Sequence, residues 1–162
     1  MSYKKAALMY AIALVLQLSL LNLLAIDAIT PNLVLCLALF ITYKYNNGIL
    51  PGLVGVPFAL VLDSLGGQYV GVGGLVLFLL CLSVAYFGRD LNRDNLWTLL
   101  TIIAVGTLIY YGLCWLVMMI LGNPTHIVYI LKFLMFEIPL NLLVTLVASF
   151  CYRRKYNRIK NI

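Results

Sequence analysis

Apolar residues fill this chain in long runs, and polar or helix-breaking residues fall in short clusters between them. The first run, Ala6 to Ile26, follows Lys4 and Lys5 and stops at Asp27. It is longer than the apolar region of a signal peptide and ends without a clean small-residue cleavage site, which predicts an uncleaved first helix. Pro31-Asn32 opens a second run through Tyr43, closed by Lys44-Tyr45-Asn46-Asn47. Its apolar part is short for a bilayer crossing, so it is expected to borrow interfacial residues or to thin the bilayer locally. A third run, Gly48 to Leu62, contains Pro51, Gly52, Gly55 and Pro57 and meets Asp63 and the turn Ser64-Leu65-Gly66-Gly67-Gln68. The fourth spans about Gly71 to Phe87 and is followed by a polar stretch, Gly88 to Asn95. The fifth is Leu96 to Leu121, and Gly122-Asn123-Pro124-Thr125-His126 leads into the sixth, Ile127 to about Tyr152.

Six apolar runs predict an all-α, polytopic membrane protein. The composition agrees: of 162 residues, 64% are hydrophobic and 10% charged, with a mean hydropathy of +1.06. A soluble domain carries roughly a quarter charged residues, and one this size still exposes a large share of its surface. Lipid must cover what protein cannot. Six helical crossings use ~120 residues at ~20 each, which leaves only turns and a tail. The expected organisation is a single six-helix transmembrane domain over residues 1–152 and a basic cytoplasmic tail over 153–162.

Charge sets the expected threading. With the N-terminus inside, Lys4, Lys5, Lys44, Arg89, Arg93, Arg153, Arg154, Lys155, Arg158 and Lys160 all fall on one side, ten of the eleven basic residues. The opposite turns, at 27–30, 63–68 and 122–126, contain none. Lysine and arginine gather on the cytoplasmic side of membrane proteins, so both ends are expected in the cytoplasm. The net charge of +6 could otherwise suggest nucleic acid. Short clusters beside apolar runs do not form the basic patch that nucleic acid needs, and no such partner is expected.

Small and polar residues supply the candidate contacts. Gly48, Gly52, Gly55, Ala59 and Asp63 recur at three and four residues, a stripe that lets helices approach closely. Gly71, Gly74, Cys81, Ala85 and Gly88 form a similar line, broken by Phe78. The close-packing glycines are read as Gly52, Gly55, Gly66, Gly67, Gly71 and Gly74. Asp63 either caps the turn after it, accepting from Leu65 or Gly66, or meets a partner. Glu137, Asn141, Thr145 and Ala148 share one face of the sixth helix, with Pro139 among them to free the Met135 carbonyl and kink the helix. They serve either as polar glue or as a partner site, together with Asn32 at the start of the second helix. Lys132 lies off that stripe, near the outer end, where its stem can carry the ammonium to the interface or where it joins the partner site. Arg153, Arg154, Lys155 and Arg158 form a cytoplasmic basic contact for anionic headgroups or a filament, or else a plain topology anchor.

Chemistry-bearing constellations are absent from the sequence. Cys36, Cys81, Cys114 and Cys151 are scattered singly, the one histidine, His126, has no evident partners, and no phosphate-cradling loop is present. No cofactor, metal or catalytic residue is expected, and the chain is read as a non-enzyme.

The order of features resembles a known family. A lysine-led first helix, Pro31-Asn32, a glycine-rich third helix running into Asp63-Ser64-Leu65-Gly66-Gly67, then Gly71, Gly73-Gly74-Leu75 and a basic turn with Arg89 are similar to MreD. MreD is the membrane subunit of the bacterial rod-shape machinery. The resemblance covers nearly the whole chain on short motifs. It implies a multi-pass protein of the bacterial cytoplasmic membrane and a non-catalytic scaffold for peptidoglycan synthesis and cell shape. The partner it implies is a bitopic MreC-type protein, and through it RodA, a penicillin-binding transpeptidase and the MreB filament. MreD is also similar in helix arrangement to the substrate-binding S components of energy-coupling-factor vitamin importers. The alternative expectation is therefore a small-molecule binding subunit, with Asp63, Glu137 and Asn141 lining an outward pocket.

Overall fold

Six α-helices, with no strand among the described residues, follow one another in the order the apolar runs predict: α1 Tyr3–Leu23, α2 Leu33–Tyr45, α3 Ile49–Leu65, α4 Val72–Phe87, α5 Leu96–Ile120 and α6 Ile127–Lys160. The computed structural model describes residues 3–23, 30–65, 70–91, 93, 95–122 and 126–160, with the backbone alone at 20–23 and 153–160. Asparagines set several helix starts. Asn32 Oδ1 accepts from Leu35 N at 3.0 Å, Asn47 Oδ1 from Leu50 N at 3.1 Å and Asn95 Oδ1 from Trp97 N at 3.0 Å. Each supplies an acceptor to N–H groups that a helix's first turn cannot satisfy. Two stretches are long and apolar enough to cross a membrane, Leu96–Ile120 and Ile127–Tyr152. α6 differs from expectation at its far end, because its backbone stays helical through the basic tail to Lys160. Lysine and arginine are good helix formers, so the loss of apolar character there does not end the helix.

α2 is the hub. It packs against all five other helices, and those five follow one another around it as α1, α3, α4, α5 and α6. The ring is open at one place, since α1 and α6 do not meet among the described residues. Ten of the 13 residues of α2 are buried. Protein covers this short helix on nearly every side, so its length of ~20 Å need not by itself match a bilayer.

Close approach of α3 to α4 depends on the glycine stripe. A Cβ on Gly52 would lie 2.6 Å from the Phe78 ring, and one on Gly55 2.8 Å from Leu77. A Cβ on Gly48 would run into the Cys81 carbonyl. Gly74 is looser, with Val56 at 3.4 Å. Gly71 is a correction: only Leu60, at 3.8 Å, lies near its Cβ position, and its φ of +105° is what demands glycine. Gly66 and Gly67 lie outside the described residues.

Polarity is inverted between inside and outside. Phe87, Trp97, Val128 and Met135 are each more than 70% exposed, while Gln17, Asn32, Asp63, Thr107, Glu137 and Asn141 are buried. One end of the bundle gathers basic residues. The Lys44 ammonium donates to the Arg93 carbonyl and lies over the Tyr152 ring, and Tyr43 Oη donates to the Asn95 carbonyl at 3.4 Å. These bonds bring the α2–α3 turn, the start of α5 and the Tyr152 level of α6 together.

Candidate functional site

The buried polar residues converge on the N-terminus of α2. A helix leaves its first N–H groups without intrahelical partners, and burying them bare costs about 1–3 kcal/mol each. Here every one is met by a side chain. Asn32 N donates to Asn141 Oδ1 on α6 at 2.9 Å. Leu33 N and Val34 N donate to Gln17 Oε1 on α1 at 3.0 and 3.4 Å, and Leu35 N returns to Asn32 Oδ1. The polar face of α6 is thus turned to the hub.

The network extends into α5. Asn141 Nδ2 donates to Thr107 Oγ1 at 3.1 Å, and Asn32 Nδ2 donates to Tyr111 Oη at 3.4 Å. Tyr111 Oη in turn donates to Glu137 Oε1 at 2.8 Å. Thr145 Oγ1 donates to the Asn141 carbonyl at 2.8 Å, and the Cys36 thiol reaches the same oxygen at 3.7 Å. Glu137 is fully buried, and among the described residues no donor reaches its Oε2. Pro139 lies between Glu137 and Asn141, exposed, and α6 stays helical through it.

Asp63 forms a second cap. It is buried at the last turn of α3, and its Oδ2 accepts from Gly71 N and Gly73 N, both at 3.0 Å. The expected donors were Leu65 or Gly66; the actual donors open α4, across the intervening turn. Gly73 must lack a side chain, because a Cβ there would collide with Asp63 Oδ1 and the Tyr110 hydroxyl. The carboxylate therefore fastens the α3–α4 hairpin at the end opposite the basic cluster.

Of the sequence candidates, Asn32, Glu137 and Asn141 are brought together, Asp63 adjoins them across Tyr110, and Lys132 is exposed outside both groups. The side chains of Arg153, Arg154, Lys155 and Arg158 lie outside the described residues. Sequence reasoning missed Gln17, Tyr111 and Thr107. Gln17 carried a signal, an amide in the middle of the first apolar run, while Tyr111 and Thr107 are ordinary residues of an apolar helix. It also missed Gly106, whose Cβ would strike Leu39 of the hub. Among the described residues no group of three or more His, Cys, Asp or Glu side chains could hold a metal. On the open side of the ring an apolar groove of ≈ 1010 Å³ runs between α1 and α6, walled by Met9, Ile12, Leu16, Leu143 and Val147.

Comparison with known protein families, with characterised proteins and with solved structures gives no match.

Proposed function

We propose that the chain crosses the membrane six times with both ends in the cytoplasm and serves as a non-catalytic scaffold in the bacterial cell-wall elongation complex. The inverted polarity carries the membrane part of this reading. A soluble fold that buried Glu137, Asn141 and Gln17 while exposing Phe87, Trp97 and Met135 would lose on both counts. In lipid the same arrangement is favourable, because apolar faces meet acyl chains and polar groups bond one another. The scaffold part is supported by how the interior polar groups are used. Asn141, Gln17, Asn32 and Asp63 are committed to backbone N–H groups, which orders helices rather than presents reactive atoms.

The particular complex comes from the resemblance of the Asp63-Ser64-Leu65-Gly66-Gly67 turn and its neighbours to MreD. In that reading a bitopic MreC-type protein is the direct partner. Its membrane helix is proposed to fill the groove between α1 and α6, where the ring around α2 is open among the described residues. Co-expression with such a partner in mild detergent is the test. A complex that survives size exclusion supports the assignment, and separate elution removes it.

One observation favours a second reading, a small-molecule binding subunit of an importer. Glu137 Oε2 is a buried acceptor with no donor among the described residues, and a ligand amine or hydroxyl could supply one. Native mass spectrometry of the purified chain decides: a stoichiometric small molecule, lost in Glu137→Leu, would replace the scaffold reading.

A further inference from the structure

The basic end of the bundle carries a cavity outside the hub network; the cavity shares Tyr45 with the groove. It has a volume of ≈ 560 Å³, within the range of about 300–1,000 Å³ typical of small-ligand sites. It lies between the α2–α3 turn and the last turn of α4, and its lining is divided by polarity. Tyr45, Asn46, Asn47, Tyr86 and Arg89 form the polar part, and among the described residues no carboxylate lines it. Ile49, Leu82 and Ala85 form the apolar part.

The polar part is built, with its groups held by specific contacts. The Arg89 guanidinium lies over the Tyr86 ring, 5.6 Å from its centroid. With the Asn46 amide placed so that both of its atoms are satisfied, its nitrogen donates to the Ala85 carbonyl at 3.2 Å and its oxygen accepts from Arg93 Nη2 at 3.3 Å. Asn46 takes a left-handed φ of +49° to do so. Arg93 in turn offers its carbonyl to Lys44, so three basic side chains converge on this turn. Asp90, exposed beside Arg89, is the nearest described acid in sequence.

The apolar part continues down the outside of the bundle. Ile49 is followed one turn on by Leu53, and the half-buried Leu82 by Leu79 and Leu75 one and two turns back, with Ile49, Leu53, Leu79 and Leu75 exposed. Donors and positive charge at one end and an apolar track at the other match an amphiphile with an anionic head. A freely soluble anion would have no use for the track.

We infer that this cavity binds the phosphate headgroup of an anionic membrane phospholipid, with its acyl chains along Ile49, Leu53 and Leu79. Arg89 and Tyr86 are the principal donors, since a guanidinium fork suits phosphate oxygens and Arg93 and Lys44 raise the local potential. The assignment rests on the reading that the bundle spans a bilayer. It does not depend on which protein partner is bound.

The test uses the full chain reconstituted into phosphatidylcholine vesicles with a minor fraction of phosphatidylglycerol, then extracted in mild detergent and weighed intact. The parent chain is expected to retain phosphatidylglycerol over phosphatidylcholine. Arg89→Gln should lower that preference about fivefold, the effect of one interfacial charge, and Tyr86→Leu should lower it in the same direction. Lys132→Gln removes the same charge far from the cavity and should leave the preference unchanged. Equal retention of the two lipids, no effect of Arg89→Gln, or an equal loss in Lys132→Gln would overturn the site. Displacement of the lipid by inorganic phosphate would reassign the cavity to a soluble anion and overturn the lipid claim. Failure of the parent chain to float with the vesicles would instead overturn the spanning reading beneath it.

Discussion

Asn141 on the last helix holds the backbone nitrogen of Asn32 at the start of the second, Oδ1 to N, at 2.9 Å. That bond joins positions 109 residues apart and makes a side chain of α6 the cap of α2. Asn141→Leu should therefore orphan Asn32 N–H and Thr107 Oγ1 together. The expected loss is about 1–3 kcal/mol, toward the low end because unfolded helices in a membrane also find partners. Asn141→Asp keeps the acceptor and should lose less. Thermal melting in detergent, followed by circular dichroism, ranks the three chains.

Gln17 gives a parallel case from α1. Gln17→Leu removes the side-chain acceptor of Val34 N and of Leu33 N, the latter keeping the Pro31 carbonyl at 3.1 Å, while Gln17→Glu retains an oxygen in place. The leucine variant should melt below the glutamate variant. The reverse order in the same assay would mean that Gln17 contributes packing rather than a cap.

Glycine substitutions separate steric need from conformational need. Gly48→Ala should be among the most damaging, because its Cβ would run into the Cys81 backbone carbonyl, which moves only if α4 moves. Gly71→Ala should cost about 1 kcal/mol through its backbone conformation alone. Gly112→Ala, with nothing within 4 Å of its Cβ position, should be neutral or slightly stabilising. Resistance to unfolding in SDS orders the series.

These contrasts mark what the sequence could and could not reveal. The helices were legible because apolar runs end at strong punctuation: Pro31-Asn32, Asn46-Asn47-Gly48 and Gly122. The stripe of Gly48, Gly52 and Gly55 was legible too, since helical spacing alone puts those residues on one face. For Asp63 a cap was one of two readings, and it was matched to the wrong donors. A turn that returns the chain eight and ten residues later to Gly71 and Gly73 leaves no periodic trace. The hub role of α2 was hidden for a different reason. A helix apolar on every side reads the same whether lipid or protein surrounds it.

The open side of the ring yields a test of the scaffold reading. Val147 is exposed on the α6 wall of the groove, so Val147→Trp should fill the groove without disturbing the core. The variant is expected to fold as the parent does and to lose about tenfold or more in recovery of the bitopic partner, as for a bulky block at a packed contact. Leu108→Trp, an exposed position on α5 away from the groove, should leave recovery unchanged.

The central claim, that lipid surrounds the bundle with its basic end facing the cytoplasm, is tested most directly by labelling intact cells. With the native cysteines replaced, His126→Cys and Asp90→Cys place single thiols at exposed sites of opposite ends. An impermeant maleimide should modify the first in intact cells and the second only after permeabilisation. Modification of the Asp90 site from outside, with the His126 site protected, would contradict the account.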